Sequence, residues 1–227
     1  MAMIIMAISI KSPCRILIRG MSGLLAKRNP EVLYFVKTEK PVVALTIDDG
    51  PDKETTDLIL KTLKLNNAKA TFLIITDNIA GNEKLMERIV SEGHEIGNHL
   101  TKDERSASLP SHVFENRLKE AHLTLLRYAS TIRWFRPGSG RFNRDMLRII
   151  KRYDYRCALG DIYPYDAHVP CSWFAAKYII SCVEPRSIVV LHDRGSRGKR
   201  TARTLVEVLP ALNRRGLRIV TLSELAG

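Results

Sequence analysis

Two adjacent carboxylates, Asp48 and Asp49, close an apolar run, Val42-Val43-Ala44-Leu45-Thr46-Ile47, and are followed at once by Gly50-Pro51. A buried strand that ends in two acids and a turn puts both where backbone leaves a sheet. Side chains alternate along a strand, so the pair could divide its work, one carboxylate binding a metal and the other moving a proton. Further along stand His99, Asp103, Arg136, Asp161, Asp166, His192 and Asp193. Carboxylates and imidazoles in this number suit metal-assisted hydrolysis, which needs about three N/O ligands, an activated water, a base and an acid. His99 and Asp103 are four apart, so a helical turn would let them grip one ion with Asp49. The guanidinium of Arg136, in Trp134-Phe135-Arg136-Pro137-Gly138-Ser139-Gly140, could clamp a carboxylate, and His192 leaves an apolar run as a proton donor.

Seven short apolar runs could position these residues: 42–47, 70–75, 94–98, 132–135, 155–159, 187–191 and 217–222. Between them lie segments of helical period, such as Leu58, Ile59 and Leu63, Phe114, Leu118, Ala121 and Leu125, and Leu205, Val208, Leu209 and Leu212. Alternating strands and helices imply parallel pairing through right-handed crossovers, in a doubly wound sheet or a barrel. Such folds carry their chemistry at the carboxyl ends of the strands. Every residue singled out above follows the end of a run.

The 227 residues suffice for one domain. Residues 1–39 are expected to be a lead-in packed on a domain formed by 40–227. A net charge of +12 favours an anionic neighbour, yet no zinc-finger spacing, recognition helix or aromatic RNA-binding signature accompanies it. No specific nucleic-acid partner is expected. The basic run Arg194, Arg197, Lys199, Arg200 and Arg203 places charge beside the expected mouth, available to an anionic surface or polymer. Cys14, Cys157, Cys171 and Cys182 have no metal-ligand spacing and read as separate thiols. Met1 to Ile10 is apolar without a leading positive charge and too short to span a bilayer. It is no convincing signal peptide, a weak targeting or anchoring role is the alternative, and the compartment stays open.

Four motifs in order resemble the polysaccharide deacetylase family, carbohydrate esterase family 4, with its NodB homology domain. Thr46-Ile47-Asp48-Asp49-Gly50 is similar to the family's Thr-Phe-Asp-Asp-Gly. Ile96-Gly97-Asn98-His99 resembles the run-in to His-(Ser/Thr)-x-x-His. Arg136-Pro137-Gly138-Ser139-Gly140 is similar to Arg-x-Pro-x-Gly, and Val190-Leu191-His192-Asp193 to Leu-x-His. The resemblance implies an irregular (β/α) barrel of about seven parallel strands, a single α/β domain. It implies hydrolysis of N-acetyl groups on an amino-sugar polymer or oligomer, with one divalent metal, zinc first and other divalent cations as alternatives. Asp48 would be the base, Asp49 and His99 metal ligands, Arg136 the group orienting Asp48, and His192 the acid. For the oxyanion the candidate is the Ser139 N–H.

The departures are as informative. Asp103 stands where the family's second histidine is expected, with Glu104 as adjacent alternative, and a second carboxylate would weaken the ion as a Lewis acid. Leu100 replaces Ser or Thr, and Gly138 replaces the middle proline. The family's Asp-Trp pair has no tryptophan in Tyr163-Pro164-Tyr165-Asp166-Ala167, where Asp166 is the expected partner of His192, ahead of Asp161. A tyrosine or Trp173 is expected to line the acetyl pocket. The competing reading is a catalytically silent glycan-binding domain of the same fold.

Overall fold

The computed structural model describes residues 13–227, so the apolar stretch at 1–10 and its targeting reading lie outside the described residues. Each expected strand is present: β2 (Val42–Asp48), β3 (Thr71–Ile74), β4 (Glu95–Asn98), β5 (Trp134–Phe135), β6 (Arg156–Ala158), β7 (Ile188–His192) and β8 (Arg218–Val220). The lead-in adds another, β1 (Val32–Leu33), which pairs with β6. The order is β1-β6-β5-β4-β3-β2-β7, all parallel, with β8 against the start of β2. Isolated bridges Phe35–Ser187 and Ile162–Val189 join the two ends of this path, making the barrel irregular.

The helices are α1 (Pro13–Arg28), α2 (Thr56–Leu65), α3 (Glu83–Ser91), α4 (Ser111–Leu125), α5 (Arg144–Arg152), α6 (Ser172–Cys182), α7 (Gly195–Arg214) and α8 (Leu222–Ala226), of which α8 sends Leu222 and Leu225 into the barrel interior. Ile59, Leu60 and Leu63 of α2, and Leu205, Val208, Leu209 and Leu212 of α7, are buried, as a period of 3.6 requires. All seven residues of β2 are buried, the signature of a parallel strand covered on both faces.

The two-residue period of the strands divides the core. Val43, Leu45, Ile47, Phe72, Ile74, Phe135, Cys157, Val189 and Leu191 pack in the cluster that includes the helices. Val42, Ala44, Leu73, Trp134, Ala158 and Ile188 form a second cluster, the barrel interior. Thr46 and Asp48 continue the phase of Val42 and Ala44, Arg136 that of Trp134, and His192 that of Ile188 and Val190. The site is therefore the top layer of the interior column. The thiol expectation needs one correction: Cys157 and Cys171 are free, but Cys182 is disulfide-bonded.

Candidate active site

Asp48 and His192 are register partners on adjacent strands, so the expected base and acid stand side by side. Arg136, 3% exposed, donates from Nη1 to Asp48 Oδ1 at 2.5 Å and to Thr46 Oγ1 at 2.8 Å, and from Nε to the Ala158 carbonyl at 2.8 Å. The Thr46 hydroxyl in turn donates a hydrogen bond to the Val189 carbonyl at 2.7 Å. A buried charge needs such partners: the pair is held directly from β2 and β6 and through Thr46 from β7, although Arg136 Nη2 is buried with no hydrogen-bond partner.

Regular alternation would send Asp49 to the opposite face from Asp48. Instead β2 ends at Asp48 and Asp49 takes a left-handed backbone, φ 74°. Its Oδ1 lies 3.6 Å from His99 Nε2. The His99 Nδ1–H donates to the Arg136 carbonyl at 2.7 Å, so in the neutral imidazole Nε2 carries the lone pair; burial pulls the His99 pKa down, but Asp49, Asp48 and the Arg136 carbonyl together raise it. Both acids thus meet at Arg136, one through its guanidinium and one through its carbonyl. Leu100, Ser139 and Tyr165 are left-handed as well, at φ 67°, 57° and 60°, beside His99, Arg136 and Asp166. Backbone strain gathers where the loops present the reactive groups. Asn98 Oδ1 holds the turn after His99 by accepting from the Leu100 N–H at 2.8 Å.

The structure brings Asp166, not Asp161, to His192. Asp166 Oδ2 accepts from Nδ1 at 2.9 Å and from the His192 backbone N–H at 3.1 Å. Burial pulls the His192 pKa down, but the hydrogen bond and charge of Asp166, joined by the charges of Asp48 and Asp49, together outweigh it and raise the pKa above the ordinary histidine value. Asp161 instead caps the start of β7 through the Ile188 N–H at 2.8 Å, and burial raises its pKa to about 7. Tyr163 packs edge-on against His192 with ring centroids 5.9 Å apart. Trp173 is 59% exposed on α6, so the aromatic beside the acid is the tyrosine.

The expected helical turn from His99 to Asp103 does not form. Leu100 is left-handed and residues 101–104 are a series of bends, so spacing alone was misleading here. The Asp103 side chain is 47% exposed and 3.6 Å from Arg197 Nη2, while Glu104 is paired with Arg117. Among the described residues no group of three His, Cys, Asp or Glu is arranged to hold a metal. Asp49 and His99 nevertheless fit one: Asp49 Oδ2 is buried and makes no hydrogen bond, although the Arg197 guanidinium meets it as an ion pair, and His99 Nε2 faces the same carboxylate. Burial opposes ionisation of Asp49, but His99, His192 and Arg197 together hold its pKa down to about 2.

Arg197, expected as part of a free basic run, has Nη1 3.0 Å from Asp49 Oδ2. Its neighbours are engaged too, Lys199 with Glu54 at 2.8 Å and Arg200 with the Asp166 carbonyl at 3.0 Å. Sequence reasoning missed Arg197 as a site residue, since only the approach of α7 to the end of β2 pairs it with Asp49. A guanidinium on a ligand oxygen competes with a cation for that oxygen. Arg197→Met is expected to tighten divalent-ion binding by roughly fivefold, the worth of about 1 kcal/mol for a partly exposed ion pair. Titration calorimetry reads this directly, and unchanged affinity would remove the competition.

Gly138 stands where a proline is expected because the loop at 104–106 leans on it. A Cβ there would lie 1.9 Å from the Glu104 carbonyl oxygen, and the Gly138 N–H donates to Ser106 Oγ at 2.8 Å. Gly138→Ala should cost about 1–3 kcal/mol of stability in a denaturant titration. Next to it, Ser139 is exposed on the rim.

Comparison with known proteins identifies the family and the fold. The polysaccharide deacetylase family profile matches residues 35–158. A peptidoglycan-N-acetylglucosamine deacetylase of Bacillus cereus is 30% identical over 196 residues, covering 86% of this chain and 92% of the relative. Among solved structures, the Bc1960 peptidoglycan N-acetylglucosamine deacetylase superposes with a TM-score of 0.81 at 27% identity, covering 86% of this chain and 92% of the other. A mutant with restored activity of BA3943, a CE4 family pseudoenzyme, superposes at 0.79 and 25% identity, covering 86% and 71%.

Proposed function

The chain belongs to the polysaccharide deacetylase family, and on that premise we propose that it is a metal-dependent hydrolase removing N-acetyl groups from an amino-sugar polymer or oligomer. The substrate would be a glycan of the peptidoglycan or chitooligosaccharide kind, whose acetamide is a poor electrophile. The observation that carries this reading is the register pairing of Asp48, held by Arg136, with His192, held by Asp166, beside the Asp49–His99 pair.

One divalent ion, zinc first, would be held by Asp49 and His99, with Asp103 as a third donor if Arg197 yields; bound, it supplies Lewis-acid polarisation of the acetamide carbonyl and of water. Asp48 accepts the proton of the attacking water, and Arg136 orients that carboxylate. The Ser139 N–H is the candidate donor to the developing oxyanion. His192 Nε2 then protonates the leaving amine, the Nδ1–H to Asp166 fixing its tautomer. Bond cleavage yields acetate and a free amino sugar.

The raised His192 pKa sets a pH expectation. The imidazolium is favoured in the folded state, so the acid form and its contribution to stability are fully present below the ordinary histidine pKa and are lost as pH rises through the folded one. Asp166→Asn should move the alkaline limb of the kcat profile to lower pH. A limb that stays in place would mean that Asp166 does not tune the acid.

A second reading, a glycan-binding domain without turnover, is favoured by Arg197 seated on Asp49. Acetate release from N-acetylated chitooligosaccharides and peptidoglycan by the divalent-metal-loaded protein separates the two. Release that depends on Asp48 supports the enzyme, whereas glycan binding with bound metal and no acetate supports the silent domain.

A further inference from the structure

Helix α1, outside the segment that matches the family, is apolar on two sides. One side meets the domain: Ser22 is buried, Ile18 and Ala26 pack on the core, and Arg15 Nε donates to the Ser181 carbonyl at 2.6 Å. On the other side Ile16, Leu17, Met21, Leu24 and Leu25 are 62%, 65%, 57%, 53% and 41% exposed. At about 100° per residue these five fall within about half the helix circumference, where a surface helix normally carries polar groups. Single exposed apolar residues need no explanation, but five on one helical face do.

The charge on α1 selects the occupant. Its charged side chains are Arg15, turned to the domain, and Arg19, Lys27 and Arg28, and it has no Asp or Glu. A second copy docked face to face would set these cations against their own kind. An anionic bilayer offers both a negative surface for the cations and an apolar layer for the five side chains. Residues 1–10, separated from it by Lys11 and Ser12, are mostly apolar in sequence. Position agrees: Ser181 lies at the end of α6, which carries the chain back to the start of β7. Helix α1 therefore lies at the end of the barrel where strands begin, and the Asp48–His192 rim lies where they finish.

We propose that α1 is an interfacial docking helix that lays Ile16, Leu17, Met21, Leu24 and Leu25 into an anionic lipid surface, leaving the catalytic rim turned away from the lipid. The test is cosedimentation of the full chain with phosphatidylcholine vesicles, with and without phosphatidylglycerol. Binding should require phosphatidylglycerol and weaken with salt. The triple variant Leu17→Ser, Met21→Ser, Leu24→Ser should lower the bound fraction roughly tenfold or more, with thermal unfolding unchanged. Arg19→Glu with Arg28→Glu should lower it as well. Absent binding by the native chain, equal binding by the triple variant, or a dimer that the triple variant abolishes in light scattering would each overturn the proposal. None of these readouts depends on deacetylation, so the lipid proposal and the proposed activity stand or fall separately.

Discussion

Asp48→Asn is expected to lower kcat for acetate release by roughly 10²- to 10⁴-fold, the usual worth of a general base. Asparagine keeps an oxygen for the Arg136 Nη1–H but cannot take a proton from water. Divalent-ion affinity should be little changed, because the proposed ligands, Asp49 and His99, keep their own contacts through Asp49 Oδ1 and the Arg136 carbonyl. Calorimetry with the metal and an acetate assay at saturating substrate, performed on the same preparation, separate loss of the base from loss of the site. A fall of less than tenfold would assign the base to another group.

Arg136→Met should have the largest effect on stability. Removing the guanidinium leaves the Asp48 carboxylate buried, 3% exposed, without its cation, which costs about 3–5 kcal/mol when one partner of a buried pair is deleted. It also removes the donor to Thr46 Oγ1 and frees the Ala158 carbonyl. Chemical denaturation gives the loss, and kcat should fall as well because Asp48 loses the guanidinium that orients it. Arg136→Lys separates the two roles, since it restores charge but not the three-way fork. A stability loss below about 1 kcal/mol in Arg136→Met would mean that the pair is not structurally important.

Much of this was legible in the chain. Seven apolar runs separated by helical segments specified a parallel α/β architecture, and the strand-end position of Asp48, His99, Arg136 and His192 specified the working rim. Local pattern is informative there because strand burial and helix amphipathicity are written residue by residue. That Asp48, Arg136 and His192 share the interior phase of their strands was not legible, because these strands are apolar on both faces and only the structure shows which face is inside. The resemblance supplied their roles and also the partner of His192: Asp166 accepts its Nδ1 proton as expected. Residues 32–36 were less legible, because a two-residue strand has too short a pattern to distinguish from a packed lead-in.

Spacing could not decide how the loops fold. Four residues separate His99 from Asp103, yet the left-handed Leu100 breaks the helical turn that would align them. The same backbone device at Asp49 turns an outward-phased acid back to the site. Arg197 and Asp49 are far apart in sequence, and their meeting depends on α7 starting directly after β7, whose last residue is in register with Asp48. Residue types along the chain thus determined the fold class, the rim and the class of chemistry. Only tertiary structure decided which charges meet, because electrostatic partners are chosen by distance in space and by the backbone conformation of the turns that present them.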